Sequence, residues 1–90
     1  MMYPYLTMND DTEITHSEMM DDGRVKVYIE TPDETGGFHS ATCWLPEYKW
    51  EKVNGYTETE MKCFQDFLRN NAHLILEFSK DGGVLNVCNK

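Results

Sequence analysis

The side chains of this sequence that could do acid–base or metal chemistry are three histidines, three cysteines and several paired acids. Imidazole titrates near neutral pH and binds transition metals. However, His16, His39 and His73 fall in no recognised catalytic or metal-binding spacing. We interpret His16, which alternates with apolar residues, as a packed histidine. We interpret His73 as a solvated one, and a role for any of the three stays open.

The cysteines Cys43, Cys63 and Cys88 are widely spaced and form no C-x-x-C motif. This spacing supports neither a zinc ribbon nor a redox pair. We expect reduced thiols, as in a cytosolic protein, and we interpret Cys43 and Cys63 as packing residues.

Three pairs of adjacent acids, Asp10-Asp11, Asp21-Asp22 and Asp33-Glu34, invite a metal interpretation. A calcium loop needs acids at alternate positions and a closing glutamate, and none of the pairs fits that pattern. Nucleotide-binding, hydrolase and zinc-protease motifs are also missing from the sequence. We therefore predict no catalytic residue, no metal and no cofactor, and a protein that is not an enzyme.

The acidic charge is concentrated in the first part of the chain. The net charge is −8, and residues 1–34 contribute nine acids against Arg24 and Lys26, which gives −7. Direct nucleic-acid binding requires clustered lysine and arginine, so we do not expect it. An acidic surface suits a basic partner protein or serves solubility alone. The candidate partner-binding acids are Asp10, Asp11, Asp33 and Glu34.

Three large aromatics, Trp44, Tyr48 and Trp50, lie within seven residues. Tryptophan and tyrosine dominate interface hot spots, so the three are candidates for binding another protein. The alternative, which we prefer, is that Trp44 or Trp50 closes the core beneath the start of a helix.

That helix is predicted from Tyr56 to Gly83. Thr57 and Glu60 form a capping box, and Tyr56 and Met61 occupy the positions of a hydrophobic staple. Two adjacent glycines end the pattern. One arc of the helix is entirely polar and holds Lys62, Asp66, Arg69, Asn70, His73, Glu77 and Lys80.

The remaining helix face is apolar, and we expect Phe64, Leu68 and Ile75 to be core residues. The alternative is a break at Asn70-Asn71, with 72–79 as a further strand. The continuous polar arc argues for one unbroken helix.

The residues before the helix alternate as strands do. Arg24 to Glu30 is the clearest strand, and Asp21-Asp22-Gly23 predicts a hairpin with a type I′ turn before it. Phe38 to Leu45 is the next strand. Pro4 confines the segment from Tyr3 to Met8 to an edge strand or an irregular lead-in.

We expect a connector from Glu47 to Gly55, and a short tail from Val84 to Lys90 that adds a brief strand. Consecutive strands joined by short turns form an antiparallel meander, which one helix can cover. The predicted fold class is α+β: an antiparallel β-meander of three to four strands covered by one long C-terminal α-helix, in a single domain of residues 1–90.

The sequence resembles a family of small uncharacterised bacterial proteins in three segments. These are Tyr3-Pro4-Tyr5-Leu6-Thr7-Met8, Glu13-Ile14-Thr15-His16-Ser17 and Asn71-Ala72-His73-Leu74. The resemblance implies a bacterial cytoplasmic origin and brings no activity or cofactor. We also expect no signal peptide and no membrane span.

Three functions are compatible with these observations. The first is a non-enzymatic protein-interaction module of the bacterial cytoplasm. The second is an acidic inhibitor, antitoxin-like or anti-restriction, that mimics nucleic acid on a basic partner protein. A small enzyme is the third and least supported. We further expect a homodimer, because a meander has two edges and Pro4 protects at most one of them. The other edge is open unless the tail from Val84 to Val87 pairs with it.

Overall fold

The computed structural model describes residues 2–8 and 11–80 of the chain. Five strands precede one helix, and the elements are β1 (Met2–Thr7), β2 (Glu13–Ser17), β3 (Val25–Pro32), β4 (Phe38–Leu45), β5 (Lys49–Asn54) and α1 (Glu58–Lys80). The strands lie in chain order in one sheet, and every neighbouring pair is antiparallel. The predicted α+β fold class, a meander followed by one helix, is confirmed.

The hairpin between β2 and β3 turns where the sequence predicts it, with a different turn type. The Gly23 amide donates to the Met20 carbonyl (2.9 Å), and the Met20 amide donates to the Arg24 carbonyl (2.8 Å). Only Gly23 has a positive φ (83°), whereas Asp21 and Asp22 do not. A type I turn followed by a left-handed glycine has this conformation, and a type I′ turn does not.

One face of the sheet and one face of α1 form the core. Its strand residues are Ile14, Val25, Val27, Ile29, Cys43 and Leu45, and its helix residues are Phe64, Leu68, Ala72 and Ile75. The three predicted core residues of the helix are confirmed, and the strand predicted from Arg24 to Glu30 buries its alternate residues Val25, Val27 and Ile29. The core forms because period-2 and period-3.6 apolar patterns meet across two layers.

The helix begins with the predicted capping box. The Thr57 amide donates to Glu60 Oε1 (2.8 Å), and the Glu60 amide donates to Thr57 Oγ1 (3.2 Å). The helix then runs unbroken to Lys80, so the alternative of a strand over 72–79 is wrong. All seven residues of the predicted polar arc are exposed. The glycines predicted to end the helix lie outside the described residues.

A buried polar cluster fixes the far end of the helix to β2. Ser79 Oγ lies 2.7 Å from the Ile75 carbonyl oxygen, 3.0 Å from that of Ser17 and 3.0 Å from His16 Nδ1. The Ser79 hydroxyl has one proton, which it can donate to the Ile75 carbonyl. We therefore infer that His16 Nδ1 carries a proton and donates it to Ser79 Oγ. The Met19 amide donates to the Ser79 carbonyl (3.1 Å). The interpretation of His16 as a packed histidine is confirmed, since it is 1% exposed.

The segment predicted as a connector after β4 contains strand β5, so the sheet has five strands instead of three to four. The prediction failed because Lys49, Glu51 and Lys52 hide the alternation of an edge strand, which needs only one buried face. A bulge further interrupts its pairing with β4, and Lys52 has a positive φ of 55°. The other edge strand, β1, contains Pro4 and a bulge of its own.

The face of the sheet opposite α1 is not covered by any element within residues 2–8 and 11–80. We call it the open face. On strands β2 to β5, its outward side chains include Glu13, Thr15, Lys26, Tyr28, Glu30, Pro32, Phe38, Ser40, Thr42, Trp44, Lys49 and Glu51. The described elements therefore leave this face accessible to another molecule.

Candidate functional site

Charge is distributed unevenly along the open face. At one end, Glu13 on β2 lies directly opposite Glu30 on β3. At the other end, Lys26 lies opposite Trp44, which in turn lies opposite Lys49. The strand register thus places acids and bases at opposite ends of the same surface.

The acidic end contains a groove of about 420 Å³. We call it the acidic groove, and its lining residues are Thr7, Asp11, Glu13, Glu30, Pro32 and Phe38. Three of the six are carboxylates and none is basic. Phe38 remains 53% exposed, so the groove combines negative charge with accessible apolar surface.

Local hydrogen bonds position two of the carboxylates. Asp11 has a left-handed φ of 65°, which aspartate tolerates better than most residues. Its amide donates to the Met8 carbonyl (3.0 Å), and the Met8 amide donates to the Thr12 carbonyl (2.8 Å). On β3, the Tyr28 hydroxyl donates to Glu30 Oε2 (3.1 Å). Hydrogen bonds therefore fix the backbone at Asp11 and orient the carboxylate of Glu30.

The opposition of Glu13 and Glu30 has an energetic consequence. Like charges directly opposite on neighbouring strands destabilise a sheet, by about 0.2–1 kcal/mol for such a pair. The Asp11 carboxylate adds to the same negative field. A cation bound between these groups would remove the repulsion, so the groove is electrostatically suited to a positively charged ligand.

Asp33 and Glu34, two of the predicted partner-binding acids, lie in the β3–β4 turn and do not line the acidic groove. Asp33 Oδ1 accepts hydrogen bonds from the Thr35 hydroxyl (2.7 Å), the Gly37 amide (3.0 Å) and the Thr35 amide (2.9 Å). These bonds lower the pKa of Asp33, with the Thr35 hydroxyl as the largest cause. Asp33 thus holds the turn together, whereas Glu34 is exposed.

His39 is next to this turn, with Nε2 3.8 Å from Asp33 Oδ2. Its ring meets Tyr56 edge-on at 5.7 Å, and a Cβ at Gly55 would collide with it. The Tyr56 hydroxyl lies 3.3 Å from the His39 carbonyl oxygen and 2.8 Å from Thr31 Oγ1. Packing against the start of the helix therefore accounts for the position of His39.

The three candidate aromatics do not form one surface. Trp50 is opposite Cys43 and so points to the helix side, where its Nε1 donates to Gln65 Oε1 on α1 (2.6 Å). Tyr48 has a positive φ of 60° and also packs against the core. Trp50 thus closes the core beneath the helix, as the preferred interpretation expects.

Trp44 points to the open face, at the basic end. Its Nε1 donates to Glu51 Oε1 (2.9 Å), and this bond is the main cause of the lowered pKa of Glu51. The guanidinium of Arg24 lies 4.5 Å from the centre of the Trp44 ring, and Arg24 Nε lies 2.9 Å from Glu47 Oε1. Trp44 is therefore the one candidate aromatic available to a partner on this face.

Among the described residues, the remaining side chains that could act as nucleophiles or metal ligands are not arranged for either role. Burial under the helix raises the pKa of the Cys43 thiol to about 12, which leaves it protonated and a poor nucleophile. His73 is exposed on α1, as predicted, but Cys63 is exposed as well, so the interpretation of Cys63 as a packing residue is wrong. In the described part of the chain, no three His, Cys, Asp or Glu side chains are placed to hold a metal ion. Asp10 lies outside the described residues.

Comparison with known proteins gives no relative: no protein-family model, curated protein or solved structure matches the sequence. The resemblance to small bacterial proteins therefore stays a prediction. Among the described residues, no helix is long and apolar enough to cross a membrane.

Sequence reasoning identified only Asp11 of the groove. It missed Glu13, Glu30 and Phe38, because these residues come together through strand register. The signal was the hairpin turn at Asp21–Gly23, since the position of a turn fixes which residues of its two strands face each other.

Proposed function

We propose that this chain is a non-enzymatic protein-interaction module whose acidic groove binds a basic partner protein. The observation that carries the proposal is the composition of the groove. Asp11, Glu13 and Glu30 surround the exposed ring of Phe38, and no basic residue lines the same space.

The chemistry of the groove favours lysine or arginine side chains. Their charged heads can reach the carboxylates of Glu13 and Glu30 while their aliphatic stems cover Phe38 and Pro32. An arginine gains further attraction when it stacks over an aromatic ring. Electrostatic complementarity of this kind gives specificity and fast association.

We place the module in the bacterial cytoplasm. The resemblance described above supports a bacterial source. Cys43 and Cys63 are free thiols, and reduced thiols are the rule in that compartment.

Photo-crosslinking from the groove tests the proposal. Benzoylphenylalanine replaces Phe38, whose exposed ring makes the exchange conservative, and the protein is irradiated in its native cells. We expect one dominant adduct with a basic protein, identified by mass spectrometry. The control carries the same group at Leu74, which is exposed on the helix. Equal adducts from both positions, or none from position 38, would refute the proposal.

Binding of the purified partner then tests the chemistry. Glu13→Gln combined with Glu30→Gln should weaken binding at least tenfold, whereas Glu58→Gln combined with Glu77→Gln removes the same charge from the exposed helix and should change it little. Affinity should fall as salt increases, because ions screen the attraction. Equal losses in the two double variants would show that only net charge matters.

The alternative function is an acidic inhibitor that covers a nucleic-acid-binding surface. The observation favouring it is the closeness of three carboxylates on one patch, which could substitute for phosphates. Duplex DNA or RNA would then compete with this chain for the partner. Simultaneous binding of nucleic acid and this chain to the partner would exclude the inhibitor and leave the interaction module.

A further inference from the structure

The central strand of the sheet has a self-complementary pattern of outward side chains. In the order of five strands, β3 lies in the middle. Its outward residues are Lys26, Tyr28 and Glu30, so that a base and an acid stand at equal distances on either side of a tyrosine. Rotation of this pattern by 180° about the tyrosine exchanges the base and the acid.

We infer that a second copy of this chain docks on the open face, related to the first by a two-fold axis that passes over Tyr28 of β3. The axis lies in the interface and runs perpendicular to the strands. Lys26 of each copy then faces Glu30 of the other, and the two Tyr28 side chains meet at the axis. Such a contact is isologous, the usual arrangement of homodimers.

The neighbouring strand β4 extends the complementarity. Trp44 is opposite Lys26 and Phe38 is opposite Pro32, so these two aromatics mark opposite ends of the face. The same rotation brings Trp44, with Arg24 stacked on it, towards Phe38 of the second copy. This contact would cover the most exposed large apolar side chain of the described chain.

A face-to-face contact suits the fold better than pairing through a sheet edge. Both edges are interrupted: β1 has Pro4 and a bulge, and β5 has a bulge with Lys52 in a left-handed conformation. Bulges, prolines and lysines are features that oppose edge pairing.

The expected dimer is weak. The five strands hold 33 residues in all (6, 5, 8, 8 and 6). At about 3.3 Å per residue and about 4.8 Å between strands they give a planar footprint of roughly 500 Å², against roughly 800 Å² per partner in stable complexes. The net charge of −8 also opposes association. Glu51 lies in the same row as Tyr28 and Thr42 and would face its own copy, so Glu51→Gln should tighten the dimer.

Sedimentation equilibrium of the purified protein, up to several hundred micromolar, provides the test. We expect the average mass to rise with concentration towards twice the 10.5 kDa of one chain. Glu30→Lys and Lys26→Glu should each abolish this rise. An equimolar mixture of the two variants should restore it as a one-to-one heterodimer, because both pairs formed between positions 26 and 30 are then oppositely charged.

Glu77→Lys and Lys62→Glu on the exposed helix face are the matched controls, and circular dichroism checks that each variant is folded. The inference is overturned by a single-chain mass at every concentration. It is equally overturned by a mixture that associates no better than its components, or by controls that weaken the dimer as much. The second copy and the basic partner both cover Glu30 and Phe38, so they bind the open face alternately. The experiment contains no partner protein, so its failure leaves the proposed function intact.

Discussion

Leu68→Ala tests the packing of the helix on the sheet. Leu68 is fully buried at the middle of α1, within the core shared with β2, β3 and β4. Removing three carbons from such a site costs the transfer free energy of those atoms plus the energy of the cavity that remains. We therefore expect a loss of about 3 kcal/mol, within the usual range of about 2–5 kcal/mol.

This loss corresponds to a melting temperature lower by about 12–24 °C for a domain of this size. Circular dichroism during heating, with urea unfolding as a second measure, provides the assay. Leu74→Ala is the matched control, because Leu74 lies on the same helix and is 39% exposed. We expect it to cost about 1 kcal/mol or less. If Leu68→Ala melted within a degree or two of wild type, or no lower than Leu74→Ala, the helix would not pack as described.

Four further expectations concern the cap, two titrating groups and metals. Thr57→Ala should destabilise the protein by about 1 kcal/mol in urea, because it removes one half of the capping box. The Cys43 thiol has its pKa raised from 9.0 to about 12, so it contributes stability below pH 9 that is lost as the pH rises towards 12. Cys43→Ala should flatten that part of the curve of stability against pH, and an unchanged slope would contradict the burial argument. The carboxyl of Asp33 should titrate below 3.8 by NMR, and Thr35→Val should raise its midpoint by removing the strongest hydrogen bond. Calorimetry should show no stoichiometric zinc or calcium binding tighter than about micromolar, and a one-to-one zinc isotherm lost in His39→Ala would count against this.

The helix and the inner strands could be predicted from the sequence because their signals are local. The capping box at Thr57 and Glu60 needs only four residues, and the alternation of β3 reports directly which side chains are buried. The strand β5 was missed because its one large apolar side chain on the helix side, Trp50, is only half-buried and lies among charged neighbours. Its bulge then breaks the period on which the prediction depends.

The candidate site was harder to predict than the fold, because it depends on register and not on neighbours in sequence. The paired acids Asp33 and Glu34 look like a binding patch, but the Asp33 carboxylate accepts hydrogen bonds from Thr35 and Gly37 within its own turn. Glu13 and Glu30 look ordinary in the sequence and become neighbours only across two strands. Trp44 and Trp50 are close in the sequence but lie on opposite faces of the sheet. Trp50 is opposite Cys43, the residue before Trp44, and alternate residues of a strand point in opposite directions.

The order of the elements also determines which surfaces of this chain are exposed during its synthesis. All five strands are made before the helix that covers them. At about 5–20 residues per second, the 26 residues from 55 to 80 take roughly 1–5 s to follow the sheet. During that delay the apolar side of β3 and β4, with Val27 and Ile29 at its centre, has no cover from its own chain. A ribosome-associated chaperone would find its binding surface there, and a chain that stops before residue 58 would keep that surface and aggregate.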